Sequence, residues 1–81
     1  MSDLKDKVVE ALQMLDPAAK IDVQGTGTVV ATMVSGSFAG VDEAERQKRV
    51  WDSLQGTLTV AERLAVEFVF TVTPDEAKQA V

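Results

Sequence analysis

The chain contains no cysteine, no histidine and no tyrosine. Without cysteine it has no disulfide, no thiolate nucleophile and no thiolate ligand for zinc or an iron–sulfur cluster. Without histidine it has no Ser–His or Cys–His catalytic pair, no HExxH zinc helix and no histidine pH switch. These absences exclude most familiar catalytic constellations, so we expect no enzymatic activity, no metal site and no cofactor.

Basic residues and long apolar runs are scarce. The 8 basic residues are outnumbered by 13 acidic ones, and the net charge of −5 argues against a broad nucleic-acid surface. The longest apolar runs are three residues, whereas a membrane span needs about 20. The charged segment 1–7 precedes no apolar region, so a signal peptide is not expected. The composition predicts one small cytoplasmic domain over residues 1–81, with no membrane contact.

The first half of the chain predicts a helix followed by a hairpin. A stripe of apolar residues over 3–15 has helical spacing; Ser2 or Asp3 would cap this helix, and Asp16-Pro17 would end it. Strands are predicted over 20–24 and 28–35. The glycines between them suit a hairpin turn better than a phosphate-binding loop, because a strand and not a helix follows.

The second half predicts helices over 41–54, 59–64 and 74–80, with a strand over 65–72. Asp42, Thr59 and Thr73 are candidate N-caps, each with a glutamate three residues on, and Gln55-Gly56 is a candidate C-cap. In the strand, period-two alternation places Val66, Phe68, Phe70 and Val72 on one face, and we expect Phe68 and Trp51 in the core.

This order, α-β-β-α-α-β-α, predicts an α+β domain. The connection between the second and third strands is long enough for a parallel crossover. We therefore expect a three-stranded mixed sheet with helices packed on one face.

Two charge clusters admit two interpretations each. Acidic residues at 42, 43 and 45 are the oxygen ligands that a hard cation prefers, but a helix start attracts acids anyway. Arg46, Lys48 and Arg49 form either an ordinary solvated helix face or a local basic patch for phosphate or an acidic partner.

An ordered set of segments along the chain resembles the BolA-like family. The family shows a strand, a Phe-x-Gly bend, a basic helix with a Val-aromatic pair, and a last strand leading into Thr-Pro-x-Glu. The corresponding segments are Val23-Gln24-Gly25-Thr26-Gly27, Phe38-Ala39-Gly40, Gln47-Lys48-Arg49-Val50-Trp51 and Thr73-Pro74-Asp75-Glu76, with Arg63 also matching.

The resemblance implies a fold similar to a class II KH domain. Family members bind monothiol glutaredoxins, help ligate or traffic a shared iron–sulfur cluster and, in some bacteria, bind DNA and regulate transcription and stress responses. The family's cluster ligands are a His before the last strand and a His or Cys in the first hairpin loop. Here Ala65 and the loop 25–28 replace them, so direct cluster ligation is not expected.

Two functional hypotheses follow from the sequence. The first is a regulatory adaptor that binds a protein partner, such as a monothiol glutaredoxin, through its last strand and terminal helix, as a monomer or weak homodimer. The second is a weak nucleic-acid-binding regulator that uses the helix over 42–54. The candidate binding residues are Arg46, Lys48, Arg49 and Arg63.

Overall fold

The elements follow one another in the order that the sequence pattern predicts. The computed structural model describes residues 4–79, which form four α-helices and a three-stranded sheet, and this confirms the α+β class. The predicted cap at Ser2 or Asp3 and the predicted helix end at Ala80 lie outside these residues. In chain order the elements are α1 (Leu4–Leu15), β1 (Lys20–Gln24), β2 (Val29–Val34), a 3-10 turn (Gly36–Phe38), α2 (Glu43–Thr57), α3 (Val60–Leu64), β3 (Val66–Val72) and α4 (Pro74–Gln79).

The predicted helix starts are capped as expected. The Asp42 carboxylate accepts a hydrogen bond from the backbone N–H of Glu45, and Thr59 forms a complete capping box with Glu62. The predicted C-cap at Gln55-Gly56 is wrong, because α2 continues through Gly56 to Thr57. Leu58 is the C-cap residue instead. Its backbone N–H still donates to the carbonyl of Leu54, but its own backbone is extended, so the helix ends at this residue.

The sheet is mixed, as predicted, with strand order β1-β2-β3. Strands β1 and β2 are antiparallel, and β2 and β3 are parallel. The β1–β2 hairpin turns at Gly25, whose φ of 122° is unfavourable for any residue with a side chain. A Cβ atom at this position would lie 2.1 Å from the carbonyl oxygen of Thr28, so the loop requires glycine here.

A β-bulge at the start of β3 reverses the predicted faces of that strand. Val29 lies opposite Val66, but Val30 lies opposite Phe68, so β3 has one residue more than β2 at this point. Val66 therefore faces the core, whereas Phe68 lies on the opposite face of the sheet, although the two residues are two positions apart in the strand. The expectation that Phe68 is a core residue is wrong, since Phe68 is 39% exposed and Phe70, predicted on the same face, is 51% exposed, while Val69 is fully buried.

The core lies between one face of the sheet and the helices α1 and α2. Val8 and Leu12 of the predicted α1 stripe are completely buried, and Trp51 of α2 packs partly buried against the same cluster. Ala44 in the first turn of α2 is exposed. The other buried apolar residues are Ala11, Val29, Ala31, Met33, Phe38, Val50, Leu54, Leu58, Val66 and Val69.

The helices within 4–79 are short. None of them has both the length and the apolar character that crossing a membrane requires.

Candidate partner-binding surfaces

The sheet face that turns away from α1 and α2 is here called the open face. Strand pairing arranges its residues in three rows across β1, β2 and β3. The β1 members are exposed and polar, and the β2 members are half-buried. The three rows are Gln24–Val30–Phe68, Asp22–Thr32–Phe70 and Lys20–Val34–Val72.

Two phenylalanines dominate the open face. The rings of Phe68 and Phe70 lie 4.8 Å apart between centroids, in an edge-to-face arrangement with an interplanar angle of 75°. Both rings are substantially exposed, and Val30 lies beside Phe68 on the neighbouring strand. Contiguous exposed apolar surface of this kind is typical of interaction sites.

A cavity with two lysines lies at one end of the open face. It measures about 460 Å³ and lies between the sheet and α4, where Lys20 and Val34 line it on one side and Ala77 and Lys78 on the other. Within residues 4–79 neither Lys20 nor Lys78 forms an ion pair. This end of the open face therefore combines an apolar hollow with unneutralised positive charge.

The outer edge of β3 is occupied by side chains of α2. Gln47 donates from Nε2 to the carbonyl oxygen of Val69 at 2.9 Å, and Arg46 donates from Nη1 to that of Thr71 at 3.2 Å. A strand that paired with this edge would have to donate hydrogen bonds to the same two carbonyl oxygens, which Gln47 and Arg46 already bind. The arrangement disfavours strand addition at β3 and leaves the open face as the accessible part of the strand.

Arg46, one of the four predicted binding residues, is held by contacts within the domain. Its side chain is only 9% exposed, and the guanidinium lies 5.7 Å from the centre of the Phe38 ring. Its Nε donates to the carbonyl oxygen of Val41 at 2.7 Å, and its two Nη atoms bind the carboxylate of Glu76 at 2.8 and 3.2 Å. Four of its five N–H donors therefore have acceptors within the domain.

The ion pair of Arg46 connects α2 to the start of α4. Glu76 also accepts a hydrogen bond from the backbone N–H of Thr73, and its own N–H donates to the Thr73 hydroxyl, so Thr73 caps α4 as predicted. The hydrogen bond from Arg46, followed by that from the Thr73 N–H, lowers the pKa of Glu76 to about 2. The pKa of Arg46 is raised, chiefly by the same hydrogen bond with Glu76.

Lys48 and Arg49 are exposed on α2, but an acid one turn away neutralises each of them. Lys48 Nζ lies 2.9 Å from the carboxylate of Asp52, and Arg49 Nε lies 3.2 Å from that of Glu45. The hydrogen bond with Asp52 also raises the pKa of Lys48. These pairs favour the solvated-face interpretation of the basic cluster over a basic patch.

The acidic residues at the start of α2 also have local partners. Asp42 caps the helix, and Glu45 pairs with Arg49. Glu43 accepts hydrogen bonds from Gln47 at 2.9 Å and from the Thr71 hydroxyl at 3.0 Å. No group of three or more acidic side chains within residues 4–79 is arranged to hold a metal ion.

Arg63 lies apart from the other three predicted residues, in a separate hollow. This hollow, here called the Arg63 cleft, measures about 400 Å³ and is lined by Trp51, Val60, Arg63, Leu64 and Val66. Trp51 is held in place by a hydrogen bond of 3.1 Å from its Nε1 to Gln47 Oε1. The structure therefore does not gather the four predicted residues into one site.

The sequence pattern placed partner binding on the last strand and terminal helix, but it did not identify the residues of the open face as accessible. The two aromatic residues of this face have the alternating pattern of a buried strand face, and only pairing with β2 reveals the bulge that turns them outward. Lys20 and Lys78 are 58 positions apart and carry no shared motif. We find no local sequence signal that would have identified either pair.

Comparisons of the chain with protein-family models, with curated proteins and with solved structures find no match.

Proposed function

We propose that this protein is a non-enzymatic, BolA-like regulatory adaptor that binds a protein partner through the open face without ligating an iron–sulfur cluster. The observation that carries the proposal is the exposure of Phe68 and Phe70 on a sheet face that α1 and α2 leave uncovered. Aromatic side chains on a rigid strand are the residue type that most often anchors a protein interface.

The charge on the open face indicates what the partner offers. The domain as a whole is acidic, yet the cavity at the end of this face has two lysines, Lys20 and Lys78, that form no ion pair within residues 4–79. A partner with apolar side chains for the phenylalanines and acidic side chains for the lysines would complement both features. The resemblance to the BolA-like family makes a monothiol glutaredoxin the first partner to test.

Nucleic-acid binding by α2 remains the alternative, with less support. Arg46 is buried, and Lys48 and Arg49 are paired with acids. The edge-to-face geometry of Phe68 and Phe70 also gives two bases no pair of parallel rings on which to stack.

The test is an amide NMR titration of labelled protein with a cluster-free monothiol glutaredoxin. We expect shifts on β3, β2 and α4, and binding at least about tenfold weaker in the double variant Phe68→Ser/Phe70→Ser, the usual loss when interface anchors are truncated. The matched control is Met14→Ser, which removes an apolar side chain that is 75% exposed on α1. It should leave the affinity unchanged.

Three outcomes would contradict the adaptor proposal. Equal affinity of the double phenylalanine variant and the parent would exclude the open face. Shifts confined to α2 on adding duplex DNA at physiological salt, with none from the protein partner, would favour the nucleic-acid regulator. Stoichiometric iron retained after anaerobic reconstitution would show that the chain ligates a cluster after all.

A further inference from the structure

The guanidinium of Arg63 has no ionic partner within residues 4–79. Of the 8 basic residues, four form ion pairs within residues 4–79, and Arg63 is not among them. Its Nε atom is buried and has no hydrogen-bond partner in that part of the chain. A buried guanidinium N–H without an acceptor is uncommon in folded proteins and calls for a physical explanation.

The acids closest to Arg63 in sequence are bound elsewhere. Glu62 receives hydrogen bonds from the Lys7 ammonium and from the backbone N–H of Thr59, and this lowers its pKa. Glu67, at the bulge, accepts a hydrogen bond from the Thr28 hydroxyl. Within the described part of the chain, neither of these two acids therefore pairs with the guanidinium.

Apolar side chains surround this unpaired cation. Trp51 and Val66 form the inner part of the Arg63 cleft, while Val60 and Leu64 of α3 are 62% and 79% exposed. Leu64 is the most exposed large apolar residue of the described chain. A volume of about 400 Å³ suits a group of one or two residues and is too small for a folded element.

We propose that the Arg63 cleft binds the C-terminal carboxylate of a peptide whose last residue is apolar. The end of a guanidinium offers one N–H from each of its two Nη atoms in one plane, a spacing that both oxygens of a carboxylate accept, so binding there does not require access to the buried Nε. At a peptide C-terminus, the carboxylate and the last side chain leave the same carbon atom. The carboxylate can then reach Arg63 while the side chain packs against Trp51 and Leu64.

Other anions fit the cleft less well. Aspartate and glutamate side chains end in a carboxylate with no apolar group beside it, and phosphate would leave the apolar walls unfilled. The cleft shares no lining residue with the open face, so this site does not depend on the proposed adaptor function.

The experiment uses Trp51, the only tryptophan of the chain, as a fluorescent reporter inside the cleft. The full-length protein is titrated with acetyl-Ala-Leu as the free acid and as the C-terminal amide. We expect the acid to change the fluorescence saturably and the amide to bind at least about tenfold more weakly, since charged hydrogen bonds at one carboxylate are lost.

Three variants test the role of the guanidinium. Arg63→Gln should weaken binding of the acid by about tenfold or more, and Arg63→Lys, which keeps the charge but loses the planar fork, should lie between Arg63→Gln and the parent. Arg49→Gln removes the same charge from exposed α2 and should leave the affinity unchanged. Amide NMR spectra of each variant establish that the fold is retained.

The proposal is overturned by any of three results: equal binding of acid and amide, equal binding by Arg63→Gln and the parent, or no saturable change at millimolar acid. The variant Phe68→Ser/Phe70→Ser should bind the acid like the parent. Failure of the two proposals can therefore be distinguished, because Phe68→Ser/Phe70→Ser tests glutaredoxin binding and Arg63→Gln tests peptide binding.

Discussion

The same substitution at two adjacent positions of β3 tests the orientation of that strand. We compare Val69→Asp with Phe70→Asp. Both variants add one negative charge to the same strand, and both carry the same low strand propensity of aspartate. They differ in what surrounds the new carboxylate, because Val69 is fully buried and Phe70 is 51% exposed.

The burial of each residue sets the expected magnitude. At Val69 the substitution removes about 1.5–3 kcal/mol of side-chain burial and adds an unpaired buried carboxylate, which costs several kcal/mol more. The total of about 5 kcal/mol or more approaches the whole stability of a small domain. At Phe70 the carboxylate stays in water, and we expect a loss of about 1–2 kcal/mol from the half-buried ring and its contact with Phe68.

Urea denaturation followed by far-UV circular dichroism and Trp51 fluorescence measures both variants. We expect Val69→Asp to be largely unfolded without urea and Phe70→Asp to unfold cooperatively at a moderately lower midpoint. The sequence pattern alone predicts the reverse ranking, because it assigns Phe70 to the core. A folded Val69→Asp variant together with an unfolded Phe70→Asp variant would refute the bulge and the open face with it.

Three further predictions concern the charged residues of α2 and α4. Arg46→Met should lower the free energy of unfolding by about 2–4 kcal/mol in urea titrations, because the buried carbonyl of Thr71 and the partly buried carbonyl of Val41 lose their donor. The pKa of Glu76 is depressed to about 2, so its stabilisation is complete above its ordinary pKa near 4.5 and is lost as the pH falls from there towards 2. Stability measured over this interval should fall less steeply with acidification in Glu76→Gln than in the parent, and parallel curves would contradict the assignment. The double variant Lys48→Gln/Arg49→Gln should leave any amide shift changes caused by duplex DNA unchanged, since both charges are already paired with acids. Loss of those shift changes would support the interpretation of these residues as a basic patch.

The sequence alone determined the elements and their order. The signals for these elements are local, because each relates residues that are at most four positions apart. They are the apolar periodicity of α1, the glycine of the hairpin and the N-caps at Asp42, Thr59 and Thr73. The parallel crossover also followed, because the length of its connection is a property of the sequence. Among the four predicted binding residues, Arg63 alone lines a cavity and forms no ion pair in the described part of the chain.

Only the tertiary structure decided which side chains are accessible. Arg46 is buried because Glu76, 30 positions later, returns to bind it, and no local pattern encodes that contact. Phe68 and Phe70 are exposed because pairing with β2 inserts one residue into β3 and shifts the alternation on which the prediction rested. Period and capping are local properties of a chain, whereas register and long-range ion pairs arise only when distant segments pack together.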